Sequence, residues 1–176
     1  MIVIIWYNFF EVIRVSNIKK LLNNIAIIQI VLCVLVFISM YIPIIHVRAG
    51  TIDQNYNTFL ALTGVTDTKA NKEFFVFSFW ALLPYLLILV VILLNVVIDN
   101  KKNVIVHIIK ALLLLISAIM ILNFKSLMKP SEDYTVDLLR FVTYRPGRII
   151  TPLIIFINFL TTIFEILMDF NILKKD

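Results

Sequence analysis

Four long apolar runs dominate the pattern of hydrophobic and polar positions along the chain. Each run has the ~20 residues that an α-helix needs to cross the hydrocarbon core of a bilayer, and charged or turn-forming residues separate the runs. The predicted spans are residues 24–45, 74–98, 104–122 and 149–170. The pattern therefore predicts an all-α integral membrane protein, a four-transmembrane-helix bundle that forms a single membrane domain over residues 1–176.

The composition agrees with a chain that lies in lipid. Hydrophobic residues make up 61% of the sequence and charged residues 15%, whereas soluble domains typically have about 45–50% and about 25%. A soluble protein of this kind would lack the polar surface that must meet water. We expect a multi-pass protein of the plasma membrane, with an organellar membrane as the alternative.

The N-terminal residues 1–15 form a fifth apolar stretch, which is too short to span. Trp6, Tyr7, Glu11 and Arg14 give it the mixed aromatic and charged character of a helix at the headgroup level. We predict an N-terminal interfacial helix. The alternative is a helix that packs against the bundle.

The connections between the spans divide into two loops and one tight turn. With four spans, the loops at residues 46–73 and 123–148 lie on one side, and the turn at residues 99–103 lies with both termini on the other. In the first loop, residues 59–62 are apolar enough for one helical turn that dips towards the membrane.

The second loop carries the signals of a short amphipathic helix. Pro130 and Ser131 precede Glu132 and Asp133, which is an N-terminal capping pattern with acids in the first turn. Apolar residues then follow at helical spacing on one face, and Pro146-Gly147 ends the segment. That face consists of Tyr134, Leu138, Phe141 and Val142.

Charge gives a preferred orientation. Basic residues are divided almost equally between the two sides, but Lys19 and Lys20 directly precede the first span, which usually dominates topology. We therefore predict cytoplasmic termini. The net charge of +5 lies mainly beside the spans, where it meets anionic headgroups, so we expect the lipid bilayer rather than nucleic acid as its partner.

Ionisable residues inside the third and fourth spans need a specific explanation, because charge is costly in hydrocarbon. Lys110 lies about six residues into its span and Glu165 about five residues before the end of its own, so both lie roughly 9 Å deep. His107 and Asp169 are each about one turn nearer the headgroups. We predict a two-rung ladder, Lys110 with Glu165 and His107 with Asp169, with Asn95 in the same leaflet. The ladder is interpreted as an ion pair that fixes helix packing, and the alternative is a proton or ion relay.

On the loop side, Arg48, Tyr144, Arg145 and Arg148 lie close to the predicted membrane surface. They could bind a phosphate or an anionic headgroup. Ordinary anchoring at the interface is the simpler interpretation, since arginine and tyrosine are frequent at that level.

The sequence lacks the usual catalytic and metal-binding motifs. It has one cysteine, Cys33, and two histidines that lie far apart, His46 and His107, and it has no Gly-rich phosphate loop and no Gly-x-Ser-x-Gly elbow. We predict no metal, no cofactor and no enzymatic activity.

Three functional hypotheses follow. The first is a non-enzymatic membrane protein that associates with another membrane protein, as an accessory subunit or as a regulatory or immunity-type factor. The second is a small oligomeric transporter or channel subunit that uses the Lys/Glu and His/Asp set. The third is a lipid-active membrane enzyme that uses the Arg/Tyr face. In each case the partner is the bilayer together with another membrane protein or a second copy of the chain.

Overall fold

The fold is known from a computed structural model, which describes residues 16–49, 52–67, 72–97, 103–132 and 138–173. Side chains are described for residues 24–48, 53–64, 73–97, 103–132 and 139–168. The predicted N-terminal interfacial helix, residues 1–15, lies outside these ranges, and so does the turn at residues 98–102.

Most of the described chain is helical, with short strands in both loops. In chain order the elements are α1 (Ser16–Ser39), β1 (Pro43–Ala49), β2 (Ile52–Asn57), α2 (Thr58–Thr63), β3 (Val65–Asp67), β4 (Lys72–Val76), α3 (Phe79–Val97), α4 (Val104–Leu122), α5 (Phe124–Leu127), β5 (Lys129–Pro130), a 3₁₀ turn (Leu138–Phe141), β6 (Val142–Tyr144) and α6 (Gly147–Leu173).

Three of the helices, α3, α4 and α6, are apolar and long enough to cross a membrane. Helix α4 matches the third predicted span residue for residue, because Asn103 and Asn123 interrupt the apolar run at both ends. Helix α1 has a shorter apolar stretch, Asn24–Ser39. The three long helices support a membrane protein.

The long helices bury their polar side chains together with part of their apolar ones, and their outward faces are apolar. They pack as four neighbouring pairs, α1 with α3 and α6, and α4 with α3 and α6. Large aliphatic and aromatic residues cover the outward faces, for example Val31, Leu93, Leu112 and Leu153. This distribution is the reverse of that in a soluble helical protein, and lipid is the solvent that suits it.

The predicted first and second spans are too long at the loop side. Residues 43–45 belong to β1 and residues 74–76 to β4. The residues next to the helices are buried and apolar, namely Ile44 and Ile45 in β1 and Phe74 and Phe75 in β4. A buried apolar stretch of a strand has the hydropathy of a membrane helix, so hydropathy alone extends the helix into it.

The strands form two antiparallel sheets that join the loops. One sheet has the order β2-β1-β6 and the other β3-β4-β5. In the first, Val47 pairs with Gln54 on one side and with Val142 on the other; in the second, Phe75 pairs with Val65 and with Pro130. Each sheet therefore takes strands from both loops, and both loops lie at the same end of the helices. We call these sheets, together with α2 and α5, the cap.

The predicted helical turn at residues 59–62 is confirmed by α2. The side chain of Asn57 caps the helix by accepting a hydrogen bond from the Leu60 amide at 2.9 Å. The helix ends at Gly64, whose φ of 100° is in the region that favours glycine.

The predicted amphipathic helix of the second loop is wrong where the chain is described. Residues 133–137, including Tyr134, lie outside the described ranges. Leu138–Phe141 is a single 3₁₀ turn, and Val142–Tyr144 is a strand that pairs with β1. The β-branched and aromatic residues of this strand suit a pleated surface once β1 supplies a partner, and the helical spacing does not reveal that partner.

Candidate functional site

A cluster of buried polar side chains lies between the four long helices. Each helix contributes at least one residue, and each of these residues is at most 8% exposed. We call this set the polar cluster; it consists of Gln29 on α1, Asn95 on α3, His107 and Lys110 on α4, and Asn158, Thr162 and Glu165 on α6.

Lys110 contacts three other helices through its ammonium group. The Nζ atom donates to Gln29 Oε1 at 3.2 Å, to Asn95 Oδ1 at 2.9 Å and to Glu165 Oε2 at 3.0 Å. An ammonium has three N–H donors, so these acceptors match its full donor capacity. The contact with Glu165 is also an ion pair, with side chains 0% and 2% exposed.

Glu165 is the acceptor on which the cluster converges. Its Oε2 accepts from Gln29 Nε2 at 2.8 Å and from Lys110, and His107 Nδ1 lies 3.1 Å away. With hydrogen on Nδ1, a neutral His107 can donate to the carboxylate. The formal charges of Lys110 and Glu165 then cancel, which lowers the cost of keeping either charge out of water.

The hydrogen bonds continue along α1 and α6 towards the cap. Gln29 Nε2 also donates to Thr162 Oγ1 at 3.1 Å. Asn158 Nδ2 lies within donor distance of the Gln29 carbonyl, at 3.3 Å, and of Cys33 Sγ, at 3.1 Å. The chain's single cysteine is therefore buried beside an amide group of α6.

An apolar layer separates the polar cluster from the next polar pair along the helix axes. That pair is Ser39 and Thr151, whose hydroxyl oxygens are 2.8 Å apart near the cap. The layer between them is fully buried, at 1% exposure or less, and consists of Val36, Ile88, Leu114 and Ile155. Polar side chains of the described helices are thus sparse between the cluster and the cap, where the buried Ser117 of α4 donates to the Pro84 carbonyl at 2.9 Å.

The structure brings together most of the intramembrane residues that the sequence singled out. Lys110, Glu165, Asn95 and His107 share one site. His107 Nδ1 lies 3.1 Å from Glu165 Oε2. The second rung, His107 with Asp169, stays a prediction, because the Asp169 side chain lies outside the described set. These residues form one site around Glu165. His107 and Lys110 lie three residues apart on one face of α4, and both contact the Glu165 carboxylate.

Sequence reasoning missed Gln29, Asn158 and Thr162 as members of this site. For Asn158 and Thr162, the spacing relative to Glu165 could have indicated membership. The three residues lie four and three positions apart and so share a face of α6. Gln29 was visible as an isolated amide in an apolar run, but only the packing of α1 against α6 shows which residues it meets.

The loop-side residues lie around the β2-β1-β6 sheet and interact mainly with the protein itself. Arg145 Nε donates to Asn55 Oδ1 at 2.8 Å, and Arg48 Nε is 3.8 Å from Asp53 Oδ2. The Arg148 guanidinium lies 3.6 Å from the centroid of the Tyr144 ring, a cation–π contact.

Arg148 also connects the cap to α4. Its Nε donates to the carbonyl of Leu122 at 2.9 Å, one of the carbonyls that the end of a helix leaves without a partner. Arg145 therefore holds the second loop against the first, and Arg148 holds the start of α6 against β6 and the end of α4.

Among the described residues, no group of three or more His, Cys, Asp and Glu side chains could hold a metal ion. His46 instead contacts Asp53 at 3.0 Å and Asn55 at 3.1 Å within the first sheet. Comparison with known proteins gave no match: no family model, no curated protein and no solved structure is similar to this chain.

Proposed function

We propose that the chain is a four-span membrane protein, without enzymatic activity, that acts by binding another membrane protein through its cap. The observation that carries this proposal is that the side chains of the polar cluster bind one another. Its lysine, glutamate and amides bind one another between the helices. Among the described residues, exposed polar side chains lie mainly on the cap, for example Gln54, Asn55 and Thr143.

The contacts of α1 support its role as the fourth span. Along α1, Gln29, Cys33 and Ser39 meet α6 at progressively earlier positions, near Glu165, Asn158 and Thr151. The two helices therefore run antiparallel through the same depth. The outward face of α1 is also apolar and exposed, with Ile27 60% and Ile38 57% exposed, so it needs lipid as much as the other three helices do.

The geometry favours partner binding over the transport alternative. A relay through one copy of the chain needs polar groups or water along the whole path. Around Val36 and Leu114 the buried side chains are mainly apolar, and the hydroxyl of Ser117 is bonded to the Pro84 carbonyl. The two formal charges of the polar cluster, on Lys110 and Glu165, are also paired with each other between helices. This pairing is expected for a site that fixes helix packing.

The cap offers an exposed, folded surface outside the apolar helices. Arg48 and Asp53 have side chains 81% and 63% exposed, and Thr143 is exposed on β6, an outer strand of its sheet. An outer strand can pair with another chain through the backbone groups that its own sheet leaves open; on β6 the Val142 carbonyl already accepts from Lys125. We therefore place the partner's contact at the β6 edge of the cap.

A charge introduced at this edge tests the proposal. We expect the protein to co-purify with a stoichiometric membrane-protein partner after mild solubilisation of its native membrane. The Thr143→Arg variant should recover at least about tenfold less partner, a loss of ~1.4 kcal/mol in binding. Native mass spectrometry of the purified complexes provides the measurement.

Asn103→Arg is the matched control, because Asn103 is exposed at the opposite end of the helices. This variant should keep the partner. A homo-oligomer with no partner would contradict the proposal and favour the transport alternative, and equal loss in both variants would contradict the assignment to the cap.

Cysteine labelling tests the orientation together with the number of spans that follow α2. In a Cys33→Ala background, we introduce Leu60→Cys on α2 of the cap or Lys175→Cys near the C-terminus. An impermeant maleimide added to intact cells should label position 60 and not position 175. Labelling of 175 alone would place the termini outside. Labelling of both positions from one side would contradict the three spans, α3, α4 and α6, that lie between position 60 and position 175.

A further inference from the structure

A groove of about 340 Å³ lies where the cap meets α3. One wall is the beginning of α3, including Phe77, Phe79 and Trp80, and the other is the α5–β5 segment that ends at Lys129 and Pro130. Its volume is within the range of small-molecule sites, ~300–1,000 Å³. The polar cluster and the β6 edge contribute no residue to it.

The aromatic residues place this groove at the membrane interface. Phe77, Phe79 and Trp80 are 56%, 54% and 64% exposed, and the Phe79 and Trp80 rings make an edge contact at 6.3 Å. Exposed aromatic side chains are costly in water and frequent at the headgroup level. They stand at the start of a helix that is apolar enough to cross the bilayer.

Lys129 gives the groove a positive charge. It is exposed, and it is the one ionisable residue of the lining, which contains no acid. The hydroxyl groups of Ser78 and Ser126 already donate to the carbonyls of Leu127, at 2.5 Å, and Asn123, at 2.7 Å. The Lys129 ammonium is therefore the donor that the groove presents to a ligand.

We propose that this groove binds an anionic phospholipid of the leaflet on the cap side. Lys129 pairs with the phosphate and the anionic headgroup, while the glycerol and the upper acyl chain pack against Trp80 and Phe77. A lysine near an anionic membrane surface and an aromatic wall beside it match the two parts of such a lipid. This site is independent of the partner proposed for the β6 edge.

Trp80 can report the occupant directly. The chain has two tryptophans, so Trp6→Phe leaves Trp80 as the sole one. The full-length variant is reconstituted in phosphatidylcholine vesicles that contain brominated phosphatidylglycerol or, separately, brominated phosphatidylcholine. We expect the anionic lipid to quench Trp80 at an about fivefold lower mole fraction, the factor that one lysine contact provides.

Two lysine variants distinguish a specific lipid site at Lys129 from general electrostatic attraction between the protein and anionic lipids. Lys129→Gln should abolish the preference for the anionic lipid. Lys125→Gln should retain it, because Lys125 lies on α5 nearby but donates to the Val142 carbonyl at 3.1 Å. Equal quenching by both lipids, or equal effects of both variants, would overturn the proposal. Suppression of the preference by inorganic phosphate at constant ionic strength would overturn it in favour of a site for a free anion.

Discussion

Replacing Lys110 by methionine is expected to destabilise the protein by about 3–5 kcal/mol, the usual effect of removing one partner from a buried ion pair. The variant leaves Glu165 as an uncompensated carboxylate between the helices. It also removes the donor of Gln29 Oε1 and Asn95 Oδ1. The measurement is thermal unfolding of the full-length protein in detergent. Size-exclusion chromatography after heating gives the fraction of protein that has not aggregated.

The double variant Lys110→Met/Glu165→Met distinguishes a packing role from a simple loss of contacts. Removing both charges leaves only neutral amides and an imidazole, so the destabilisation should be clearly smaller than the sum of the two single effects. Additive effects would contradict the pairing. The double variant should also keep its partner, because the cap is unchanged, whereas loss of the partner from a folded double variant would point to a functional role for the charges.

Lys125→Met is the matched control for a lysine outside the polar cluster. Lys125 is partly buried and donates to one backbone carbonyl, so we expect a loss of only about 1 kcal/mol. A loss as large as that of Lys110→Met would mean that any lysine-to-methionine change disturbs this protein, and the result could not then be assigned to the buried ion pair.

The charged part of the site could be predicted from the sequence because charge in an apolar run is costly wherever it lies. Lys110 and Glu165 stand out in their spans, and counting residues from the two ends puts them at one depth. In the structure they are in direct contact at 3.0 Å. Depth, however, does not give helix rotation, and rotation decides that His107 faces Glu165.

The uncharged part was less visible for a physical reason. A buried amide or hydroxyl can bond to a carbonyl of its own helix, as Thr162 does with Asn158 at 3.0 Å. A side chain of this kind therefore does not by itself predict a partner on another helix. Gln29 bonds to both α4 and α6, and its role depends on packing that hydropathy does not encode.

The cap was missed for a different reason. Its strands are short, and their partners are distant in sequence, as with Val47 and Val142. Ile44, Ile45 and Val47 are apolar and buried, and β1 is the central strand of its sheet. A sequence pattern alone assigns such a run to the preceding helix. The single helical turn in the first loop could be predicted because its signal, the apolar run at residues 59–62, is local. The structure adds its cap at Asn57 and its end at Gly64.

Gly147→Ala is expected to destabilise the protein by about 1–3 kcal/mol, the usual cost of overpacking a tight contact. Gly147 is the first residue of α6 and lies against the backbone that enters β1. An added Cβ would be 2.7 Å from the Pro43 carbonyl oxygen and 3.1 Å from that of Ile42. Both neighbours are backbone atoms, so relief requires the strand or the helix to move.

The movement would be opposed by hydrogen bonds on both sides of the contact. The Arg145 amide donates to the Ile44 carbonyl at 2.9 Å, and β1 pairs with β6 just before α6 begins. A shift of α6 therefore strains the sheet that joins the two loops. We expect Gly147→Ala to lower the unfolding temperature. We also expect it to reduce partner recovery, because the contact between Gly147 and the start of β1 positions β6.

Ile149→Ala on the same helix is the matched control, because Ile149 is 67% exposed on the apolar outer face. Its effect on the unfolding temperature in detergent should be small, within about 0.5 kcal/mol. If Gly147→Ala is as stable as the unchanged protein, the close approach of α6 to β1 is wrong. If it is destabilised while Ile149→Ala is not, the start of α6 is fixed by backbone contact with the cap, and the cap and the membrane helices form one structural unit.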